Sequence, residues 1–317
     1  MARDDLEHLL LSRLTMRHIR QLSVVGRLRS MSRAAEVLHI SQPALSKAIR
    51  EVETTAGTAL FDRTPKGLVP TASGSRLLQH CQVIESELRK ASQEIQSHLR
   101  GTAGHVAVGA FVVALPGLLP KAIAKMTSDS NDLVVRVRDG SNAELVPSLL
   151  AGEIDLIVGR IPDEDLSARL KREILYREPI VLVVGSGHPL ARKRRLKFRD
   201  LDGYGWVFPS PESVAFGPIM DMFVREGLSR PQRYVESVSF VMIQNLLRET
   251  DFIATAPRQL VARDAELGLL TILPLKVPEA HIPVGITKLV DRETTSAADR
   301  LIQCLRQVAA EALRHRG

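Results

Sequence analysis

The sequence predicts an α/β protein with a small N-terminal helical part, a long helix and a larger C-terminal part. Three observations indicate this. Helical repeats joined by a short turn precede a basic hairpin in residues 17–71, an unbroken apolar repeat spans residues 72–100, and strand-like and helix-like segments alternate from residue 105. At 317 residues the chain exceeds what one hydrophobic core usually organises, so we expect more than one domain.

Three helices are predicted in the N-terminal part. The first spans about residues 17 to 29, and the second has Ser32 as its N-cap and ends near Leu38. The third begins at Ser41, whose hydroxyl can accept a first-turn N–H, and Pro43 lies where a missing N–H costs little. Apolar residues of the third helix recur at i, i+3, i+4 and i+7, which turns its polar residues outward: Gln42, Ser46, Lys47 and Arg50.

A basic hairpin follows the third helix. Residues Phe61 to Pro70 contain a strand, a Pro-Lys-Gly turn and a returning strand, which places Arg63 and Lys66 at an exposed tip. Residues 17–70 carry nine Lys and Arg against four Asp and Glu, so most of the formal net charge of +7 lies in this winged helix-turn-helix. Such concentrated positive charge favours a nucleic-acid partner. The alternative is an ordinary helical bundle with a solvated basic face.

The combination of these motifs is more restrictive than any one of them. Ala34-Ala35, Ser-Gln-Pro-Ala-Leu-Ser at 41–46 and Phe-Asp-Arg-Thr-Pro-Lys-Gly at 61–67 together resemble the LysR-type transcriptional regulators, over essentially the whole chain after residue 15. The resemblance implies a regulator, not an enzyme, that binds double-stranded operator DNA and acts with RNA polymerase. With the helix phase, it predicts these DNA contacts: Arg33, Ser41, Gln42, Pro43, Ser46, Lys47, Arg50, Arg63 and Lys66.

The ends of these elements define the predicted domains. Residues 1–15 are an N-terminal extension, 16–71 the DNA-binding domain, 72–100 a linker helix and 101–104 a hinge. The leucines of the extension form either an amphipathic arm or a disordered segment. Its acidic start differs from a signal peptide, and no apolar run is long enough to cross a bilayer, so we expect a cytoplasmic protein without a membrane partner. The two cysteines lack metal-ligand spacing, so we expect neither a metal site nor a structural disulfide.

The linker helix carries an apolar stripe that needs a partner. The alternatives are a second copy of the same helix and the chain's own wing domain. The resemblance implies that the linker helices pair two DNA-binding domains on an inverted repeat, and that the dimers assemble into a tetramer. The stripe consists of Leu77, Leu78, Cys81, Ile84, Leu88 and Ile95.

The C-terminal part begins with a βαβαβ run, which favours a parallel sheet covered by helices. The resemblance implies that residues 105–317 form an effector-binding domain of two α/β subdomains, similar to a periplasmic solute-binding protein. Subdomain I then holds about 105–161 and 268–317, and subdomain II about 162–267. We expect the crossovers near 159–161 and 267–273.

A ligand in this fold is expected beyond the carboxyl ends of the strands, at helix N-termini that offer N–H groups to an anion. Three of the candidate contacts have an alternative role: Ser141 caps its helix, Phe111 belongs to the core, and Arg160 pairs with Asp155 or Glu153. The resemblance, to the branch that controls aromatic-acid or sugar uptake and catabolism, implies a small carboxylate, aromatic acid or sugar and no further cofactor. The candidate contacts are Ala110, Phe111, Val112, Ser141, Arg160, Ser210 and Phe216.

Two other functions compete with a regulator. An enzyme or ligand-binding protein on the same scaffold is one, but the chain has no Gly-x-Ser-x-Gly, Walker, dinucleotide-glycine or His-Glu-x-x-His motif. A ligand-free architectural DNA-binding protein is the other, and the large second domain argues against it. The basic run at 192–199 is either a second DNA contact or, as we expect, an exposed loop, and His188 before Pro189 is expected to be structural.

Overall fold

The computed structural model describes residues 3–65, 67–100, 104–128, 133–162, 168–211, 213 and 216–314. By proximity the described residues fall into two compact units. The first unit contains the described residues up to 107 and the segments 133–134 and 142–155. The second unit contains the remaining described residues. The predicted hinge lies mostly outside the described residues, and the predicted domain boundaries stay a prediction.

The N-terminal part consists of helices joined by short turns. The third predicted helix has its N-cap at Ser41 as expected, because the Ser41 Oγ accepts a hydrogen bond from Ala44 N at 3.3 Å. The prediction of Ser32 as the second N-cap is wrong, because the hydroxyl of Ser30 accepts from Arg33 N at 3.4 Å. The helices are α1 (Arg3–Arg13), α2 (Met16–Leu28), α3 (Met31–Leu38) and α4 (Gln42–Ala56).

The wing is a two-stranded hairpin anchored to the helices. Strands β1 (Phe61–Thr64) and β2 (Gly67–Pro70) pair in antiparallel register. The Glu53 carboxylate accepts from Leu60 N at 2.9 Å and Phe61 N at 3.3 Å, which ties the start of the wing to α4. Leu68 N donates to Arg29 O at 3.0 Å, which ties the returning strand to the end of α2.

The linker helix α5 (Ala72–Arg100) begins against the wing. The Thr71 hydroxyl accepts from Gly74 N at 3.0 Å and donates to Ala59 O at 2.9 Å. Leu78 and Cys81 are buried in the core of the first unit, and burial raises the pKa of the Cys81 thiol to about 12. The later apolar residues of α5 are exposed in the single chain: Ile84, Leu88, Ile95 and Leu99. Packing on the chain's own domain is therefore confirmed for the first part of the stripe, whereas pairing of the later part with a second copy of the helix stays a prediction.

The C-terminal part is built on a mixed sheet. Its described strands are β3 (Gly104–Ala110), β4 (Leu133–Asp139), β5 (Leu156–Arg160), β6 (Leu170–Gly185), β7 (Gly205–Phe208), β8 (Tyr234–Glu236), β9 (Phe252–Pro257) and β10 (Leu270–Leu289). They lie in the order β4-β3-β5-β10-β6-β9-β7-β8. The helices of this part are α6 (Leu118–Thr127), α7 (Asn142–Leu150), α8 (Phe216–Arg225), α9 (Phe240–Glu249), α10 (Arg258–Glu266) and α11 (Ser296–Arg314).

Two long antiparallel strands, β6 and β10, join two groups of parallel strands. In one group β3 is parallel to β5, and in the other β7 is parallel to β8 and β9. Strand β5 pairs with Val284–Thr287 of β10, whereas β9 pairs with Ile180–Val183 of β6. This is the two-group layout that the resemblance implied.

Each long strand passes from one group of parallel strands to the other at a later residue than expected. Strand β6 does so near Pro179, and β10 does so between Lys276 and His281, where the register shifts. We expected crossovers near 159–161 and 267–273. The difference arises because both strands continue through the change, so no turn residues mark it. Among the helices of the described residues, none is both long and apolar enough to span a bilayer.

Candidate functional sites

The outward face of α4 is the first candidate site. Leu45, Ile49 and Val52 are buried, at 0%, 3% and 1% exposure, and they fix the rotation of the helix. The polar residues between them lie on the free side: Gln42, Pro43, Lys47 and Arg50 are exposed, and Ser46 is half-buried. A rigid helix thus presents amide, hydroxyl and cationic groups together, which suits base edges and phosphates.

Several of these side chains already have contacts that orient them. Arg50 Nε donates to Ser46 O at 3.1 Å, and Lys47 Nζ lies 3.9 Å from a Glu51 carboxylate oxygen. The Ser41 hydroxyl caps the helix, which is a structural role beside its predicted DNA contact.

The remaining predicted DNA contacts lie on other elements. Arg33 is exposed on α3, and Arg63 is exposed on β1 opposite Leu68. Lys66, predicted at the tip of the wing, lies outside the described residues. Glu53, which fixes the wing against α4, could not be predicted from the sequence, because its partners are backbone N–H groups that no sequence pattern marks.

The second candidate site follows the carboxyl ends of three adjacent strands. Phe111 comes directly after β3, Arg160 ends β5, and Ser141 comes two residues after β4. Phe111 N donates to Val158 O at 2.9 Å. A Cβ on Gly159, whose φ is +141°, would lie 2.6 Å from the Phe111 Cβ, so glycine at 159 lets the aromatic residue pack closely against β5.

Burial separates the candidates after β3. Ala110 is fully buried, so its methyl group belongs to the core, whereas Val112 is 48% exposed. Phe111 and Arg160 are half-buried, and Ser141 is exposed. The two acids expected as alternative partners of Arg160 have contacts in the first unit. Asp155 accepts from Ala107 N at 2.8 Å and contacts the Lys90 ammonium, and Glu153 accepts from the Ser148 hydroxyl at 3.1 Å.

Ser210 and Phe216 belong to the other group of strands. Ser210 comes two residues after β7, and Phe216 is the first residue of α8. Ser213 N donates to Ser210 O at 2.8 Å, and Phe216 N donates to Ser213 O at 2.9 Å, so backbone hydrogen bonds through Ser213 link Ser210 to the start of α8.

The strand registers place the two groups end to end. Arg160 at the end of β5 pairs with Val284, which in turn pairs with Tyr176 of β6. Pro257 at the end of β9 pairs with Ile180 of β6, four residues further along. Since β5 is parallel to β6 and β9 is antiparallel to it, the carboxyl ends of both groups approach the middle of β6 from opposite directions. This is the arrangement that forms a ligand cleft in open α/β sheets.

Three polar residues that the sequence did not predict lie at this point. The Glu178 carboxylate is fully buried and accepts from Gln259 N at 2.7 Å, at the start of α10. The Tyr176 hydroxyl donates to the Gln259 side-chain oxygen at 3.0 Å. Glu178 follows another charged residue, Arg177, and its helix partner lies 81 residues away, so no sequence pattern marks the pair.

His188 is a buried structural residue. Its Nδ1 accepts from Leu190 N at 3.0 Å, which leaves the proton on Nε2 to donate to Asp251 O at 3.1 Å. Burial, the largest cause, lowers the pKa of the imidazole below its ordinary value of 6.5 against the opposing effect of Asp251. The basic run at 192–199 joins two 3₁₀ turns as an exposed loop, in which Lys193 pairs with Asp200 at 2.9 Å.

We expect His188 to make stability depend on pH. The folded state holds the imidazole neutral, whereas the unfolded chain binds a proton below about pH 6.5, so the unfolding free energy falls as pH drops from 6.5 towards the lowered folded pKa. Thermal unfolding between pH 7.5 and 5 should therefore show a steeper loss of Tm for wild type than for His188→Gln. The exposed His281→Gln serves as control, and equal pH slopes for all three proteins would exclude this role.

Comparison with known proteins identifies the class. Residues 16–75 match the bacterial regulatory helix-turn-helix model of the lysR family, and residues 99–310 match the LysR substrate binding domain. The chain belongs to the LysR family and is a DNA-binding transcriptional regulator with an effector-binding domain. It is therefore not an enzyme on the same scaffold.

Individual relatives match over nearly the full length. The HTH-type transcriptional regulator PcaQ of Agrobacterium fabrum is 32% identical over 300 residues, which cover 94% of this chain and 96% of that protein. YdcI of Escherichia coli, an HTH-type transcriptional regulator, is 31% identical over 93% of this chain and 96% of its own. The crystal structure of CbnR, a LysR family transcriptional regulator, superposes with a TM-score of 0.67 over 93% of this chain and 99% of that one, at 19% identity, which shows the shared fold.

Proposed function

We propose that the second domain binds a small carboxylate where the two strand groups meet. The observation that carries this is the strand register: the end of β5 aligns, across β10, with Tyr176 of β6, and the end of β9 pairs with Ile180, four residues further along β6. Arg160 supplies a cation at one side, and Ser141, Ser210 and Phe111 supply polar and aromatic contacts. Chain segments leading into helices follow the ends of β3, β4, β7 and β9, and their N–H groups favour an anion over a neutral sugar.

We further propose that α4 and the wing read an inverted-repeat operator as a dimer. Gln42 and Ser46 contact bases, Pro43 packs on a thymine methyl, and Lys47 and Arg50 contact phosphates or base edges. Arg33, Ser41, Arg63 and Lys66 complete the surface. The exposed apolar residues of α5, from Ile84 to Leu99, provide a face for a second copy of the helix.

The two sites together describe a switch. Ligand binding that draws the strand groups together changes the arrangement of the dimers within a tetramer, and thereby their spacing on DNA and their action on RNA polymerase. Such a ligand acts only through its different affinity for the two arrangements. Its effect on operator binding is therefore reciprocal with the effect of DNA on ligand affinity.

We expect benzoate or another simple organic acid to stabilise the full-length protein, with galactose and glucose as neutral probes. At about one hundred times Kd, the acid should raise Tm by about 5 to 10 °C. Arg160→Gln and Ser141→Ala should reduce the shift, whereas the exposed Ser186→Ala should retain it. A shift with a sugar but with no acid, or an undiminished shift in Arg160→Gln, would contradict the proposed carboxylate site.

A further inference from the structure

The N-terminal helix α1 packs on α4, although it precedes the matched family segment at residues 16–75. Leu14 packs against the core of the first unit, and its N–H donates to Leu10 O at 2.9 Å. Leu9 and Leu10 are half-buried on the same helix. The described part of the extension, from Arg3, is therefore a helix that contacts α4 rather than a segment without structure.

The joint between α1 and α2 holds the end of α1 in place. Only Leu14 and Thr15 separate Arg13 from α2. The Thr15 hydroxyl accepts from His18 N at 3.3 Å, and Thr15 N donates to His18 Nδ1 at 3.4 Å. This reciprocal cap fixes the direction in which the chain enters α2. The position of Arg13 is consequently set by the fold rather than by a loose terminus.

A groove of about 410 Å³ lies between α1 and α4, and basic residues line it. Arg13 comes from α1, His18 from α2, and Lys47 and Arg50 from α4. Glu51 is the acid in its lining, and it lies 3.9 Å from Lys47 and 4.0 Å from His18. Three permanent cations against one carboxylate leave the groove positive, so the ligand that fits it is an anion.

We propose that Arg13 is a further DNA contact, and that its guanidinium binds a backbone phosphate beside the one met by Lys47 and Arg50. This rests on the proposed DNA-reading face of α4. A phosphate contact from a separate helix fixes register and adds affinity without adding base preference. The extension thus enlarges the DNA footprint of the domain by one phosphate on the α1 side.

The test is the salt dependence of DNA binding by the full-length protein. The probe is a fluorescein-labelled random-sequence duplex, titrated at several KCl concentrations. Arg13→Ala should lower the slope of log K against log [KCl] by about 0.9, the value for one phosphate, and Arg13→Lys should keep the wild-type slope. Arg248→Ala, which removes an exposed charge from α9 in the second unit, should leave the slope unchanged.

An unchanged slope in Arg13→Ala would overturn the proposal. If the DNA affinity falls at that unchanged slope, Arg13 has only a packing role. If Arg13→Ala instead abolishes a rise in Tm with sodium phosphate while its DNA slope stays wild-type, the groove is a free-anion site. Lys47→Ala distinguishes failure of the Arg13 contact from failure of the proposed DNA-reading face of α4. If Lys47→Ala lowers the slope and Arg13→Ala does not, only the Arg13 contact is wrong. If neither variant lowers the slope, the α4 face is wrong as well.

Discussion

Gly74→Ala is expected to destabilise the DNA-binding domain by about 3 kcal/mol, near the upper end of what overpacking costs. A Cβ at this position would lie 1.9 Å from the carbonyl oxygen of Leu60, which is backbone and cannot swing away. Either α5 or the start of the wing must move, and either movement breaks the bridge through Thr71. Because the wing and α4 are joined at the same point, DNA affinity should fall with stability.

The direction of this effect distinguishes packing from helix propensity. In an exposed helix interior, Gly to Ala stabilises by about 1 kcal/mol, so propensity alone predicts the opposite sign. Thermal unfolding of the full-length protein, followed for its first transition, measures the change. Ser75→Ala, on the exposed neighbouring residue, should be close to neutral. A Gly74→Ala protein as stable as wild type would show that α5 is not seated against Leu60 as described.

Gln42→Ala is expected to reduce discrimination between operator and random DNA strongly. Gln42 is the exposed first residue of α4, where an amide can bond two groups of one base edge. Losing such a pair costs about 1 to 3 kcal/mol of specificity, or about 5- to 150-fold in relative affinity. Alanine keeps the helix intact, so affinity for random duplex should stay close to wild type.

Fluorescence anisotropy with a duplex selected from a random pool, and with an unselected one, measures this ratio. Lys66→Ala should weaken binding to both duplexes alike, because a wing cation meets phosphates. Gln79→Ala, on the exposed side of α5, is the matched control and should change neither affinity. Equal losses on the two duplexes for Gln42→Ala and Lys66→Ala would remove the division between base-reading and phosphate-binding residues.

N-cap residues, proline positions and apolar repeats predicted the helix-turn-helix well, and the wrong prediction concerns a single N-cap residue. Ser41 caps α4 as expected because a hydroxyl, a proline in the first turn and an apolar repeat agree. Ser30 and Ser32 are chemically equivalent caps two residues apart, and only the backbone conformation selects Ser30. Residues 1–15 offered leucines but no cap, so the sequence could not show that α1 would pack on α4.

The fold class of the second domain could be predicted from the sequence, but the register of its strands could not. Strand β6 spans Leu170–Gly185, but charged residues at 171–173 and 177–178 interrupt the apolar pattern of its first half, and pairing with β10 keeps that half in the sheet. The convergence of strand ends on Tyr176 to Ile180 depends on that register. The contacts of Glu178 with the start of α10 follow from the same geometry and left no trace in the sequence.

Sequence-specific DNA binding by α4 and the wing is the property on which the proposed regulatory function depends. The most direct test is the ratio of wild-type affinities for a duplex selected from a random pool and for unselected duplex, at one physiological salt concentration. We expect a ratio of about 10³ or more, with both affinities falling as salt rises. A ratio within about threefold, with the selection enriching no common sequence, would contradict it.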